Sequence, residues 1–238
     1  MKITQRNNLY QLAFMPDFFP VNCYLVEEED SLTLIDTALP HCANAIMMTA
    51  RKIGKPITRI LLTHTHNDHI GALIKLKTIN PDAELWIPER EERMLRGDRG
   101  IDPGESQTPI RGGLPKNMNI KADFLMKEGD RIGSLIALET PGHTPGSMSF
   151  LDSRDRSVIA GDAFQTRGRT AVSGQMVFSF PFPAMATWCK ETALVSAEKI
   201  QSQNPSLLAA GHGKMLENPA EEIKKALMSA REKMKVIK

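Results

Sequence analysis

Three of the six histidines in this chain fall within one six-residue stretch, His64-Thr65-His66-Asn67-Asp68-His69. An apolar run, Thr58–Thr63, precedes it, and a helical pattern through Ile70, Leu73, Ile74 and Lys77–Ile79 follows and stops at Pro81. The stretch therefore sits in a loop between a strand and a helix. Four polar donors packed this closely constrain the fold, because each buried polar group left unmatched costs about 1–3 kcal/mol. A bound metal resolves the cost. Imidazole and carboxylate without thiolate suit zinc first and iron or manganese second.

Three further candidates share a setting. His143 in Thr140-Pro-Gly-His-Thr-Pro-Gly146, Asp162 in Ala160-Gly-Asp162 and His212 in Ala210-Gly-His-Gly213 each follow a predicted strand and sit beside glycine. Such loops can converge at one rim of a pair of sheets, and glycine permits the tight turns that aim a side chain inward. Five imidazoles and two carboxylates exceed what one tetrahedral ion uses, so two ions per chain are expected, zinc ahead of iron or manganese. Residues two apart in an extended segment project to one side, so His64 and His66 suit one ion. Asp68 and His69, displaced round the turn, address a second, and Asp68 gains from lying near a helix start.

Strands are expected at Leu9–Phe14, Val21–Glu27, Ser31–Asp36, Thr58–Thr63 and Glu84–Pro88, with helices at His41–Gly54 and Glu89–Arg96. A second set follows: strands at Lys121–Met126, Leu135–Thr140, Ser147–Leu151, Val158–Ala160 and Leu207–Ala210, and helices at Ala184–Gln203 and Glu221–Lys235. No repeat or linker divides them, so residues 1–238 read as a single α+β domain with two sheets between helices. The 238 residues are 41% hydrophobic with a formal charge of +2, which excludes a disordered chain and gives no basic stripe for a nucleic-acid partner. Cys23, Cys42 and Cys189 are too few and too widely spaced for a disulfide framework and suit a cytoplasmic setting. The N-terminus lacks the apolar core of a signal peptide, and no stretch approaches the ~20 apolar residues of a membrane span. The expected partner is a small-molecule substrate, with neither membrane nor nucleic acid.

The ordered segments HTHNDHIG, TPGHTPGS, AGDA and AGHG resemble the metallo-β-lactamase fold superfamily. The resemblance implies a four-layer αβ/βα sandwich with a metal site at one edge of the two sheets. It implies that His64, His66 and His143 bind one metal, that Asp68, His69 and His212 bind the other, and that Asp162 bridges them. Asp68 would also orient the hydroxide or handle a proton. A metal-held water has its pKa lowered toward ~7 and attacks as hydroxide, while the ions polarise the carbonyl. In the zinc β-lactamases the position of Asp162 resembles Cys or Ser, so the carboxylate points to the branch with glyoxalase II and lactonases. After His212 only a short helical tail is expected, not the helical domain that binds glutathione, and the residues after Asp162, Ala-Phe-Gln-Thr, lack the Tyr that acyl-homoserine lactonases place there. The expectation is a dinuclear zinc hydrolase of a small carbonyl compound, ester or lactone ahead of thioester. The alternatives are a weak or promiscuous β-lactamase, a phosphodiesterase or nuclease, and an iron-dependent redox enzyme.

Two long loops are expected to shape the pocket, residues 97–119 and 164–183. In the second, Met176, Phe178, Phe180 and Phe182 alternate, which in an extended strand puts four apolar groups on one face. With Phe164 they either line an acyl pocket or cover the core or a homodimer interface. Arg167 and Arg169 are candidates to pair with a substrate carboxylate, and residues 97–119, with Arg99 and Arg111, to form a lid.

Overall fold

Period-two apolar runs near the N-terminus become antiparallel strands because alternate side chains then share one buried face. In the computed structural model, which describes residues 1–236, these are β1 (Lys2–Arg6), β2 (Leu9–Phe14), β3 (Val21–Glu27) and β4 (Leu32–Ile35). The sheet continues through α1 (Ala43–Ile53), β5 (Ile57–Leu61), α2 (Asn67–Ile70), α3 (Leu73–Ile79), β6 (Glu84–Pro88), α4 (Glu89–Leu95) and β7 (Phe124–Met126). Its strand order is β1 to β7 in sequence, antiparallel as far as β4 and parallel from β4 to β7. Parallel neighbours need a crossover, and the helices between them supply it. Leu25, Leu34, Ile46, Ile60, Leu73 and Leu85 belong to the core of this unit.

The second sheet contains β8 (Arg131–Ile132), β9 (Leu135–Glu139), β10 (Met148–Asp152) and β11 (Ser157–Gly161), then β14 (Leu207–Ala210) and β15 (Leu216–Glu217). Between β11 and β14 come a small ribbon, β12 (Phe164–Gln165) with β13 (Ala171–Val172), and the helices α5 (Phe182–Ala186) and α6 (Lys190–Ser202). Its order is β15-β14-β11-β10-β9-β8, and β11 and β14 run parallel. The last helix, α7 (Ala220–Val236), packs on α6 and β13 through Ile223, Leu227 and Ala230. Among the described residues no helix is long and apolar enough to cross a membrane.

The chain forms two compact units, Met1–Gly97 with Gly113–Met126, and Asp98–Gly112 with the described residues from Lys127 onward. The 97–119 loop is thus shared. Trp188 Nε1 donates to Thr108 O at 2.8 Å within the second unit, whereas Asn67 N donates to Gly113 O at 2.8 Å within the first. The single helix expected over Ala184–Gln203 is two. Thr187 is extended, and Trp188 N and Cys189 N donate to the carbonyls of His143 and Gly142, so these donors leave the helical ladder to build the His143 turn. The ribbon β12–β13 and the strand β1 were not legible as strands, being short or exposed.

Candidate metal centre

In the first unit the chain leaves β5, bends at Thr63 and opens α2 at His66, which is extended. His64 and His66 face the same way, with His64 Nε2 3.1 Å from His66 Nδ1 and the rings edge to face. His69 returns one helical step later, its ring centroid 4.0 Å from that of His64. The ligand atoms of Asp68 and His69 lie within 4.8 Å of each other. The three histidines are buried and Asp68 is half-buried, so the four donors of the motif form one cluster.

The cluster is held from behind by a residue that the sequence pattern did not single out. Asp36 follows β4 in the left-handed region at φ 58°. Its Oδ2 accepts from Nδ1 of His69 at 2.7 Å and from Oγ1 of Thr63 at 2.7 Å, while its Oδ1 accepts from the Thr63 amide at 2.8 Å. Because the Thr63 hydroxyl donates to Asp36, it accepts from Nδ1 of His64, 3.0 Å away. Both rings then carry their proton on Nδ1 and present the lone pair of Nε2. Glu91 on α4 accepts from the amide and hydroxyl of Thr65 at 2.9 and 2.6 Å and pins the middle of the motif. The signal for Asp36 was present: Leu34-Ile35-Asp36 is an acid directly after an apolar strand, as in Ile159-Ala160-Gly161-Asp162.

In the second unit three separate loops supply the donors. Asp162 and His212 follow β11 and β14, which are parallel neighbours, so both leave the sheet at the same end. His143 comes from the turn between β9 and β10. Asp162 Oδ2 lies 3.2 Å from His143 Nε2 and 3.3 Å from His212 Nε2, one carboxylate oxygen between two imidazoles. Ser173 Oγ meets His143 Nδ1 at 3.0 Å, with Thr187 Oγ1 at 3.4 Å. Gly213, at φ 112°, lets the His212 loop press on the chain after β12. A Cβ there would stand 2.3 Å from Thr166 Oγ1 and 2.4 Å from Arg167 N. Thr166 N donates to His212 O at 2.8 Å in the space thus kept.

The proposed pocket row does not form. Residues 178–180 turn instead of extending, and Phe178 is 92% exposed while Phe180 is 1% exposed. Phe180 packs beside His212, with ring centroids 5.2 Å apart, and edge to face on Phe182 at 5.3 Å. Met176 and Phe182 are 38% and 50% exposed, and Phe164 is a core residue of the second unit. Alternation needs a strand, and the short ribbon ends at Val172. Arg169 donates to the carbonyls of Thr170 and Met176 at 3.3 and 3.2 Å, tying its own loop, and Arg167 is half-buried beside the Gly213 contact.

Each unit thus carries a buried set of imidazole and carboxylate donors with oriented rings, the donor chemistry of a metalloenzyme. The sequence pattern described as the metallo-beta-lactamase superfamily matches residues 16–212. The chain is 52% identical over 231 residues to the uncharacterized protein YobT of Bacillus subtilis (strain 168), covering 97% of this chain and 99% of that one. The probable metallo-hydrolase YflN of the same organism is 28% identical over 212 residues, 81% and 80% of the two chains. A hydroxyacylglutathione hydrolase of Rhodopseudomonas palustris (strain BisB18) is 29% identical over 149 residues, covering 61% of this chain and 48% of the relative. Among solved structures, TTHA1623 in a di-iron-bound form superposes with a TM-score of 0.64 at 24% identity, covering 89% of this chain and 96% of the other. The chain belongs to the metallo-beta-lactamase superfamily and has its mixed α+β fold. It is an enzyme of the metallo-hydrolase class.

Proposed function

We propose that the protein is a dinuclear zinc hydrolase of small esters or lactones, with thioesters next in order. The observation that carries this reading is Asp162 Oδ2 standing between His143 and His212, at 3.2 and 3.3 Å, in a donor set that contains no thiolate. An oxygen in that position suits a bridge between two ions, each also held by one of those histidines. The donor types fit zinc: on the family pattern His64, His66 and His143 would hold one ion, Asp68, His69 and His212 the other, and Asp162 both. When bound, the ions supply a water of lowered pKa as nucleophile and a Lewis-acid hold on the carbonyl.

The chain's own residues do the positioning. Asp36 and Thr63 keep the Nδ1 protons on His69 and His64. Ser173 and Thr187 steady His143, and Phe180 shields one side of His212 from water. The half-buried Asp68 is the donor best placed to orient the attacking water and pass a proton to the leaving group. Iron is the second reading of the metal, favoured by the di-iron form of TTHA1623. The hydroxyacylglutathione hydrolase relative keeps thioesters in the ranking. Three buried free thiols suit a reducing cytoplasm, and the substrate is a small molecule rather than nucleic acid or membrane.

The test is proton release on a panel of lactones, aryl esters, thioesters and a β-lactam, with zinc-loaded and chelated protein side by side. Zinc-dependent release on lactones or esters is expected. Release confined to the β-lactam, or no release with zinc and turnover with iron, would overturn the assignment.

A further inference from the structure

The second unit contains a cavity of about 280 Å³ that none of the donor residues line. Its walls come from the β13–α5 turn, the end of α5, the start of α6, the last described turns of α7 and Arg111 of the 98–112 segment. Two kinds of side chain dominate them. Met176, Met185 and Met234 give a pliant apolar surface able to repack around a ligand chain. Arg111, Lys190 and Lys233 supply three cations, and no lining residue is acidic. Among the described residues Lys190 and Lys233 have no carboxylate partner. Lys190 also opens α6, where the helix dipole adds positive potential. Its stem lies against Gly174, at φ 83°, where a Cβ would come within 2.5 Å of Lys190 Cγ.

A buried amide is part of the same walls. Gln175 lines the cavity at 6% exposure. Its Oε1 accepts from the Val172 amide at 3.1 Å, which fixes the amide's orientation, and its Nε2 has no hydrogen-bond partner. Three cations beside three methionines describe an anionic head on an apolar chain. Ser173, another wall residue, is the one whose hydroxyl meets His143 Nδ1.

We propose that this cavity is a second ligand site, separate from the metal donors, that takes a carboxylate carried on a short aliphatic chain. Its occupant sits one side chain away from His143 and so alters the setting of that ring. The proposal does not depend on which bond the metal centre cleaves.

The test is titration calorimetry of the metal-loaded full chain with octanoate, with octanol and inorganic phosphate as controls, and the His143 ring followed by NMR. Octanoate is expected to bind and shift the His143 signal, with octanol and phosphate each weaker by about tenfold or more. Gln175→Glu keeps the acceptor for Val172 and replaces the donor with an anion, and should weaken octanoate by about tenfold. Lys190→Ala with Lys233→Ala, both on exposed side chains, should weaken it by about two- to fivefold without altering the thermal transition. Phosphate binding as well as octanoate, octanoate binding lost on chelation of the metal, or affinity untouched by both sets of substitutions would each overturn the proposal.

Discussion

The two units reach the same kind of donor set by opposite routes. In the first, four donors come from six consecutive residues, and buried carboxylates, Asp36 and Glu91, hold the segment through charged hydrogen bonds. In the second, His143, Asp162 and His212 are spread over 70 residues of chain, from 143 to 212, and are set by strand register, by backbone bonds such as Trp188 N to His143 O, and by neutral hydroxyls. A contiguous motif must be aimed by its surroundings, because its backbone offers little choice of direction. Donors on separate loops are aimed by the sheet, and their neighbours need only avoid them. The charged support of the first unit should therefore matter more to metal affinity than the hydroxyl support of the second.

Ligand loss gives the largest effect and tests the two routes together. Asp162→Ala should abolish turnover and weaken both ions, whereas His66→Ala should abolish turnover and lose one, as read by elemental analysis. Full activity with unchanged metal in either variant would break the assignment. Next comes packing beside the second set. Phe180→Ala should cost about 3–5 kcal/mol of stability, as deletion of a buried ring does, while Phe178→Ala should change it by less than about 0.5 kcal/mol.

The supports then sharpen the contrast. Asp36→Asn, which tolerates the same left-handed backbone, should lower metal affinity about 10- to 100-fold in a chelator competition. Ser173→Ala, with Thr187 still near, should lower it by about two- to tenfold. Equal losses would remove the distinction between charged and neutral support. The smallest effect lies in the first unit's core, where burial pushes the Cys23 thiol and the Tyr24 phenol well up from their ordinary values. Below the ordinary thiol range of about 8.5 both groups are neutral in folded and unfolded chain, and their contribution is full. Above it the unfolded chain ionises first, so the urea midpoint should fall as pH rises from 8 to 10, and Cys23→Ala should flatten that fall.

The seven candidate donors stand out in the sequence because each carries a local signal: density in residues 64–69, and a strand end beside glycine for the other three. Asp36 and Glu91 were not, since an acid after an apolar strand or on a charged helix has many uses. The row at 176–182 misled because alternation signals a common face only if the backbone is extended, and the turn after β13 removes that condition. The break at Thr187 was equally hidden, because its cause lies at His143, more than forty residues earlier in the chain.

Sequence alone determined the donor chemistry, the α+β class and most of the elements, for these follow from residue type and short-range periodicity. Tertiary structure decided which ring nitrogen His64 and His69 present and which aromatic packs beside His212. It also decided where the methionines and lysines of the second unit gather, since each depends on partners that only folding brings within reach.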